Sequence, residues 1–555
     1  MAKPTSQPQL SLEAAHVTDD AAGIPEDDWC RLFFEHVYCK LDDDQFADMY
    51  QERGRKPLSP SRSICITVLQ YMFKVSDRAA VENTIRRRDW RIALGIDSNW
   101  EGFHPSVLCT FRQRLIAHEM QRVMFDAVLD RLRELGLLSK HKRLRVDATH
   151  IVSDVAILSR ADSIREALRV VVHNLYKHYP SLHADPAFVR LHDEYGEEVW
   201  VGSVRSANQD LAELGRDGQA LLELCGDRPV KGKEVLAQML EENFVFSEDA
   251  PPEPLDKDQR PKDHVLTPHE PDARRGKKGD DLWIGDKVHI VETADEEQPN
   301  FIVDVMSTDP RLHDSQVVEE VAQRAQTALP EASQLVADGG YASAENTLIA
   351  REAGLDLICP PHGSNSKGLL PISEFEIDLA GRVAICPAGH RNCGWSIGKR
   401  EMRIRFPAAA CNDCPRRAEC TTSAEGRTLT LGRNYDQLVL NRDRAQTDEF
   451  KELYARRAGI EATISHLIRD CGLRRSRYRS GPKRALHAIF AATALNVRRL
   501  LHCLASENTP RQEGYSAFLR RSWRLTGAPQ KALSAILRGI LDSADNPART
   551  AAAAV

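Results

Sequence analysis

Tyr454, Arg457 and Glu461 stand three and four residues apart late in the chain, and the arginines Arg469, Arg474, Arg475, Arg477 and Arg479 follow closely. At about 100° per residue the first three side chains leave a helix in nearly one direction. A carboxylate aligned with cations beside an arginine-rich strip suggests metal chemistry on a polyanion; a solvated helix face followed by a basic loop is the plainer reading. Two aspartates bear on the choice. Asp147 ends the short apolar and basic stretch Leu144–Thr149, and Asp338 ends Gln334–Ala337 just before Gly339-Gly340, a pair that permits a sharp turn. Each alone is ordinary turn chemistry. At the C-terminal ends of neighbouring strands, however, where ligands of open α/β sheets gather, they form a pair of negative charges that needs a cation. Hard divalent ions favour carboxylate oxygen. Glu461, from a helix packed over the same sheet edge, would complete a two-metal site suited to phosphoryl transfer.

A second group with ligand chemistry lies between residues 386 and 420. Cys411-x-x-Cys414 has the short spacing of a zinc half-site, and Cys386 and Cys420 supply two further thiols, with His390 and Cys393 as competitors. Four thiolates around a structural Zn²⁺ are one reading and reduced free thiols the other. Nothing in the stretch marks an open coordination position for catalysis. The remaining eight of the thirteen cysteines (Cys30, Cys39, Cys65, Cys109, Cys225, Cys359, Cys471, Cys503) are scattered and read as small apolar residues. With no export signal at the N-terminus, clustered cysteines point to metal before disulfides, and a reducing cytoplasm is expected.

The elements that must position these residues follow from periodicity. Residues 1–25 are polar and read as a disordered tail. Residues 26–138 are helical: Ser61–Met72, a segment capped by Ser76, another from Ser106 carrying Phe111, Arg112 and Arg114, and one from about Met120. A helix-turn-helix module contacting DNA and a plain helical bundle both fit. After the strand ending at Asp147, residues 155–247 are helical again, with Ser163-x-x-Glu166 as a capping box. Residues 248–281 read as a linker, rich in proline and carrying the basic patch Arg274-Arg275-Gly276-Lys277-Lys278. Strands then appear at Trp283–Glu292 and Phe301–Met306. A helix over Ser315–Ala328, the strand ending at Asp338, a helix over Ser343–Ala353 and a strand at Leu355–Cys359 follow. This is an α/β core whose first strand is separated from its second by a helical insertion. The apolar run Ala485–Leu495 is too short to span a bilayer. With 75 Lys+Arg against 81 Asp+Glu, the net charge of −6 means that any basic surface is local.

Taken together, Val146–Thr149 (VDAT), Ala337–Tyr341 (ADGGY) and the Tyr-x-x-Arg-x-x-x-Glu spacing of Tyr454, Arg457 and Glu461 resemble the three signatures of DDE transposases of bacterial insertion sequences. Gly472–Ser480 (GLRRSRYRS) resembles one branch of that group. Where relatives often carry lysine seven residues after the glutamate, this chain has Ile468, followed by Arg469.

The resemblance covers about Phe46–Leu501 and implies an α/β ribonuclease H-like catalytic core (139–364 and 431–505). The core would carry a large helical insertion and a small zinc-ribbon-like insertion (365–430), after an all-α N-terminal domain and before a C-terminal tail (506–555). It implies that Asp147, Asp338 and Glu461 hold two Mg²⁺ ions, with Mn²⁺ as an alternative. These would serve cleavage at the element's ends and strand transfer into target DNA. Tyr454 and Arg457 would position terminal phosphates, and Arg469 to Arg479 would track the double-stranded DNA backbone. Tyr341 reads as structural. A homodimer joining two ends, a cytoplasmic location with nucleoid association, and no membrane partner complete the expectation. A transposase-derived regulator without cleavage activity and a ribonuclease H-like nuclease are the alternatives.

Overall fold

The computed structural model describes residues 21–507 except 55–56, 98, 156–157, 198–210, 248–249, 297, 362–368 and 400. Two compact units emerge: one comprises residues up to Leu132 together with those from Thr493 onward, and the other Arg133–Ala492.

The first unit is helical. Its helices are α1 (Trp29–His36), α2 (Pro60–Phe73), α3 (Asp77–Arg86), α4 (Arg88–Ala93), α5 (Ser106–Ala117) and α6 (Val123–Glu134), the last ending just past the unit's edge. Sequence dictates their starts: the Ser59 hydroxyl accepts the Arg62 N–H with Pro60 at the first helical position, and the Ser76 hydroxyl accepts the Ala79 N–H. Buried Arg112 reaches from α5 to Asp77 at 2.5 Å and ties α3 to it. Of the expected tail, residues 1–20 lie outside the described residues, and residues 21–25 are placed against the helices. Ala21 is buried, and the Ala22 and Ile24 carbonyls accept from Arg88 and Arg31, so the chain is ordered from residue 21.

The second unit is mixed α/β. β1 (Arg143–Val152) is followed by a helical insertion: α7 (Arg160–His178), α8 (Pro186–Tyr195), α9 (Leu211–Cys225) and α10 (Lys233–Glu241). These helices bury Leu168, Val171, Leu175, Leu214, Leu221 and their neighbours in a core of their own. The expected capping box does not form. Ser159, with Asp162, caps α7 one turn earlier, which leaves Ser163 inside the helix donating to the Leu266 carbonyl and Glu166 bound to Arg169 and His269.

A small hairpin, β2 (Phe244–Ser247) with β3 (Ala250–Pro254), leads to β4 (Arg274–Lys278), β5 (Asp281–Thr293) and β6 (Ile302–Thr308). The linker reading of 248–281 is therefore corrected: its basic patch is β4, a strand hydrogen-bonded to β5. Alternating charge and proline hide a strand whose partner lies just across a two-residue turn. After α11 (Val318–Ala328) come β7 (Gln334–Val336), α12 (Ala344–Glu352) and β8 (Asp356–Ile358). The main sheet has the order β4-β5-β1-β7-β8, with β6 also pairing with β5. β1, β7 and β8 run parallel, while β5 is antiparallel to β1 and β6.

Next comes a module with its own small core of Phe375, Ile404, Phe406, Leu429 and Leu431. It holds β9 (Glu376–Asp378), β10 (Val383–Ile385), β11 (Gly394–Ile397), β12 (Glu401–Arg405) and β13 (Thr428–Gly432), with the short helices α13 (Ala408–Asn412) and α14 (Arg417–Cys420). Then follow α15 (Tyr435–Ala445), α16 (Asp448–Ala455), α17 (Gly459–Cys471) and α18 (Gly481–Glu507). By length and composition Gly481–Ala505 would suffice to cross a membrane, but most of it is buried inside the protein. At its start the helix extends beyond the apolar stretch, and Arg484 there, 1% exposed, is neutralised by Glu270 and Asp286.

Candidate active site

Strand register settles the relation of the two aspartates. β1 and β7 pair in parallel with Arg145 opposite Val336, so Asp147 and Asp338 each lie two residues beyond the same rung. They stand level across the β1–β7 pairing, but the expected strand end at Asp147 is corrected: β1 runs on to Val152 because β5 continues to pair with it there, so Asp147 lies mid-strand and Asp338 just beyond the end of β7. Asp147 accepts the Ala148 N–H at 2.7 Å, and Asp338 accepts the Gly340 N–H at 2.8 Å, starting a 3-10 turn over Gly339–Tyr341. Burial pushes the Asp147 carboxyl above its ordinary range; the Ala148 N–H and Arg457 act the other way, and the Asp338 charge adds to the rise.

The third carboxylate comes from a broken helix. Tyr454 belongs to α16, Arg457 to a 3-10 turn at Arg456–Ala458, and Glu461 to the first turn of α17, so the single helix expected for these residues is two helices and a tighter joint. The cause lies beneath it. Arg145 donates to the Arg456 carbonyl at 3.0 Å, taking an acceptor that a continuous helix would use itself. A Cβ on Gly459 would fall 2.1 Å from the same guanidinium, so only glycine lets the joint settle there. Arg145 is in turn paired at 2.7 Å with fully buried Glu292, whose other oxygen accepts from Thr463 of α17 at 2.6 Å. Glu292 thus docks the Glu461 helix on the sheet.

At the joint, Arg457 bridges Asp147 at 3.2 Å and Glu461 at 3.3 Å. Burial opposes its charge, but hydrogen bonding to Tyr454 and the charges of Asp147 and Asp338 hold its pKa above the ordinary value. Tyr454 stacks on Phe450 with ring centres 5.9 Å apart. Asp147 is 17% exposed and Glu461 66%, so the glutamate is the outer member. Among the described residues no group of three or more His, Cys, Asp or Glu side chains is clustered closely enough to hold a metal ion. One guanidinium bridges Asp147 and Glu461, with the Asp338 charge within its electrostatic reach.

Periodicity gave no signal for several neighbours. Asp314, ion-paired with Lys287 at 3.0 Å, lies close enough to Asp338 that a Cβ on Gly340 would meet both, at 3.0 and 2.9 Å. Tyr341 is buried below them and shares a 2.7 Å hydrogen bond with His289; burial and the charges of Asp314, Asp147 and Asp338 raise its phenol well above the ordinary range.

The arginine strip is not uniform. Arg474 donates to the His150 carbonyl and the Thr149 hydroxyl, fastening the loop to β1. Arg475 is exposed, Arg477 half-buried, and Arg479 exposed beside Asp154. Arg469, exposed on α17, pairs with Asp470.

All thirteen cysteines are free thiols, and five of them, Cys386, Cys393, Cys411, Cys414 and Cys420, lie in the small module. The Cys386 and Cys411 sulfurs accept the backbone N–H groups of His390 and Arg427 at 3.3 and 3.4 Å. Burial raises the Cys420 pKa; Arg427 opposes the rise, and Cys411, Cys386 and Cys414 add to it, so these four thiols are electrostatic neighbours. His390 and Cys393 are exposed.

Residues 385–501 match the family model described as a transposase DDE domain, and residues 21–114 match a transposase domain (DUF772). The chain is thus similar to DDE transposases of insertion sequences over both regions. The first match includes Glu461 and the four cysteines, and neither includes Asp147 or Asp338. No curated protein and no solved structure matches the chain.

Proposed function

We propose that this protein is a transposase that binds the ends of its own insertion sequence, cuts them and joins the exposed 3′-hydroxyl groups to target DNA. One observation carries the proposal: Asp147 and Asp338 stand level on adjacent parallel strands, facing a helix that brings Glu461 through Arg457. The strand order β6-β5-β1-β7-β8, with β5 alone antiparallel to its two neighbours, supports a ribonuclease H-like core. Two of the carboxylates share one bridging guanidinium and Asp338 adds a third negative charge beside it, so the group is short of positive charge, and its all-oxygen donors suit a hard divalent cation. Asp147, Asp338 and Glu461 would hold Mg²⁺, or Mn²⁺, as a pair of ions, which when bound supplies Lewis-acid stabilisation to the attacking and leaving oxygens.

The chain's own residues do the rest. Arg457 opposes the rise that burial gives the Asp147 carboxyl and, held by Tyr454, offers its remaining donors to a terminal phosphate. Arg475, Arg477, Arg479 and Arg469 give the duplex backbone a salt-sensitive grip, and Arg474 sets the height of that loop against β1. In the cysteine module, thiols that accept backbone N–H bonds fit a structural Zn²⁺ held by Cys386, Cys411, Cys414 and Cys420. Because two ends must be joined, the working species is a homodimer, acting in the cytoplasm at the nucleoid.

The test uses the full chain and a plasmid carrying the sequences that flank its coding region. Asp147→Ala, Asp338→Ala and Glu461→Ala are each expected to abolish Mg²⁺-dependent cleavage while end binding, read by mobility shift, persists. Unimpaired cleavage by any one of them removes that residue from the site; end binding with no cleavage by the unsubstituted chain turns the reading into a regulator.

A further inference from the structure

The basic run Arg274–Lys278 has no part in the site as described, yet the fold brings its end, Lys278, within electrostatic reach of Asp147. As β4 it pairs antiparallel with β5, Gly276 opposite Trp283 and Lys278 opposite Asp281, and forms one edge of the main sheet. Four contacts fix the hairpin, two of them to β1. A Cβ on Gly276 would fall 2.3 Å from ring carbons of Trp283, so the indole lies directly across the strand at a position that only glycine leaves open. The other contact of Trp283 is His150 of β1, with ring centres 4.5 Å apart and 24° between planes. At its base Gly285, at φ +152°, meets the Ile151 carbonyl where a Cβ would be 2.0 Å away, and Asp286 is tied to Arg484 at 2.7 Å. The hairpin is a packed element and not a free loop.

What it presents is charge. Arg275, Lys277 and Lys278 are exposed and form no ion pair among the described residues, and Lys278 lies within electrostatic reach of both Asp147 and His150. Lysines on an edge strand also guard against edge-to-edge association. That role requires neither a rigid anchor nor closeness to a carboxylate site. We propose that the β4–β5 hairpin is a phosphate-binding arm, with Arg275, Lys277 and Lys278 holding the backbone of duplex DNA beside the carboxylates. The assignment rests on the transposase reading for its choice of polyanion.

The experiment compares the full chain with R275Q/K277Q/K278Q, which keeps a polar edge, and with R275K/K277R/K278R, which keeps the charge. Binding to a 30-base-pair duplex of mixed sequence is followed by fluorescence anisotropy across a salt series, and cleavage on the flanking-sequence plasmid. Losing three phosphate contacts should weaken binding at least about tenfold near 0.15 M salt and flatten the log–log salt slope by about 2–3. The charge-keeping variant should stay within about twofold of the parent. Unchanged Kd and slope in the glutamine variant would overturn the arm, as would equal weakness in both variants, which marks a packing effect. A parent that binds duplex without cutting it, with weakened binding in the glutamine variant, upholds the arm and removes the transposase reading. A parent that does not bind duplex overturns both.

Discussion

Gly340 shows how little room the site leaves at single-residue scale. Its backbone is ordinary, so the demand for glycine is one of space: a methyl group would sit 2.9 Å from Asp338 and 3.0 Å from Asp314. Gly340→Ala should therefore move the Asp338 carboxylate by a few tenths of an ångström while the fold persists. The expected loss of cleavage is on the order of a hundredfold, with duplex binding and the thermal midpoint nearly unchanged. Activity within about twofold of the parent would show that Asp338 tolerates displacement. In the sequence, Gly339-Gly340 is legible as a turn signal, but the reason for the second glycine is not. Asp314, the residue it must clear, is 26 positions away on a different element.

Among the elements, the joint between α16 and α17 matters most. Spacing alone places Tyr454, Arg457 and Glu461 on one side of a helix, and they do converge. The break at Arg456–Ala458 is invisible to periodicity because its cause is Arg145, more than three hundred residues earlier. The buried Arg145–Glu292 pair and Thr463 form the mount of the Glu461 helix, so Glu292→Ala would leave a buried guanidinium without its counter-ion. That should cost about 3–5 kcal/mol, read by urea unfolding, whereas Thr463→Val should cost about 1–3 kcal/mol. A loss below about 1 kcal/mol for Glu292→Ala would show that Arg145 finds another acceptor. The basic run 274–278 was similarly opaque. Prolines and mixed charge read as linker, and only pairing with β5 makes it a strand.

For the molecule as a whole, the cysteine module tests whether a metal contributes to folding. Its apolar core is small, and four neighbouring thiols would staple what burial alone holds loosely. Metal analysis of the purified chain should find about one zinc per chain. Cys411→Ser should lose that zinc and make residues 370–432 the first point of proteolysis. A zinc-free Cys411→Ser chain as protease-resistant as the parent would refute a structural metal.

The sequence by itself offered the candidate chemistry-bearing residues, most of the helices and core strands around them, and the resemblance to transposases. Turn-forming glycines, helix caps and the spacing along a helix are local properties, written in neighbouring residues. Only the tertiary structure decided that Asp147 and Asp338 stand level, since that is a matter of strand register, and that Arg474 serves the loop and not the surface. It also decided that the 274–278 run lies at the sheet edge and that α18 divides its length between two units. Each of these depends on pairing between segments far apart in the chain, where the energy resides in contacts that no local pattern records.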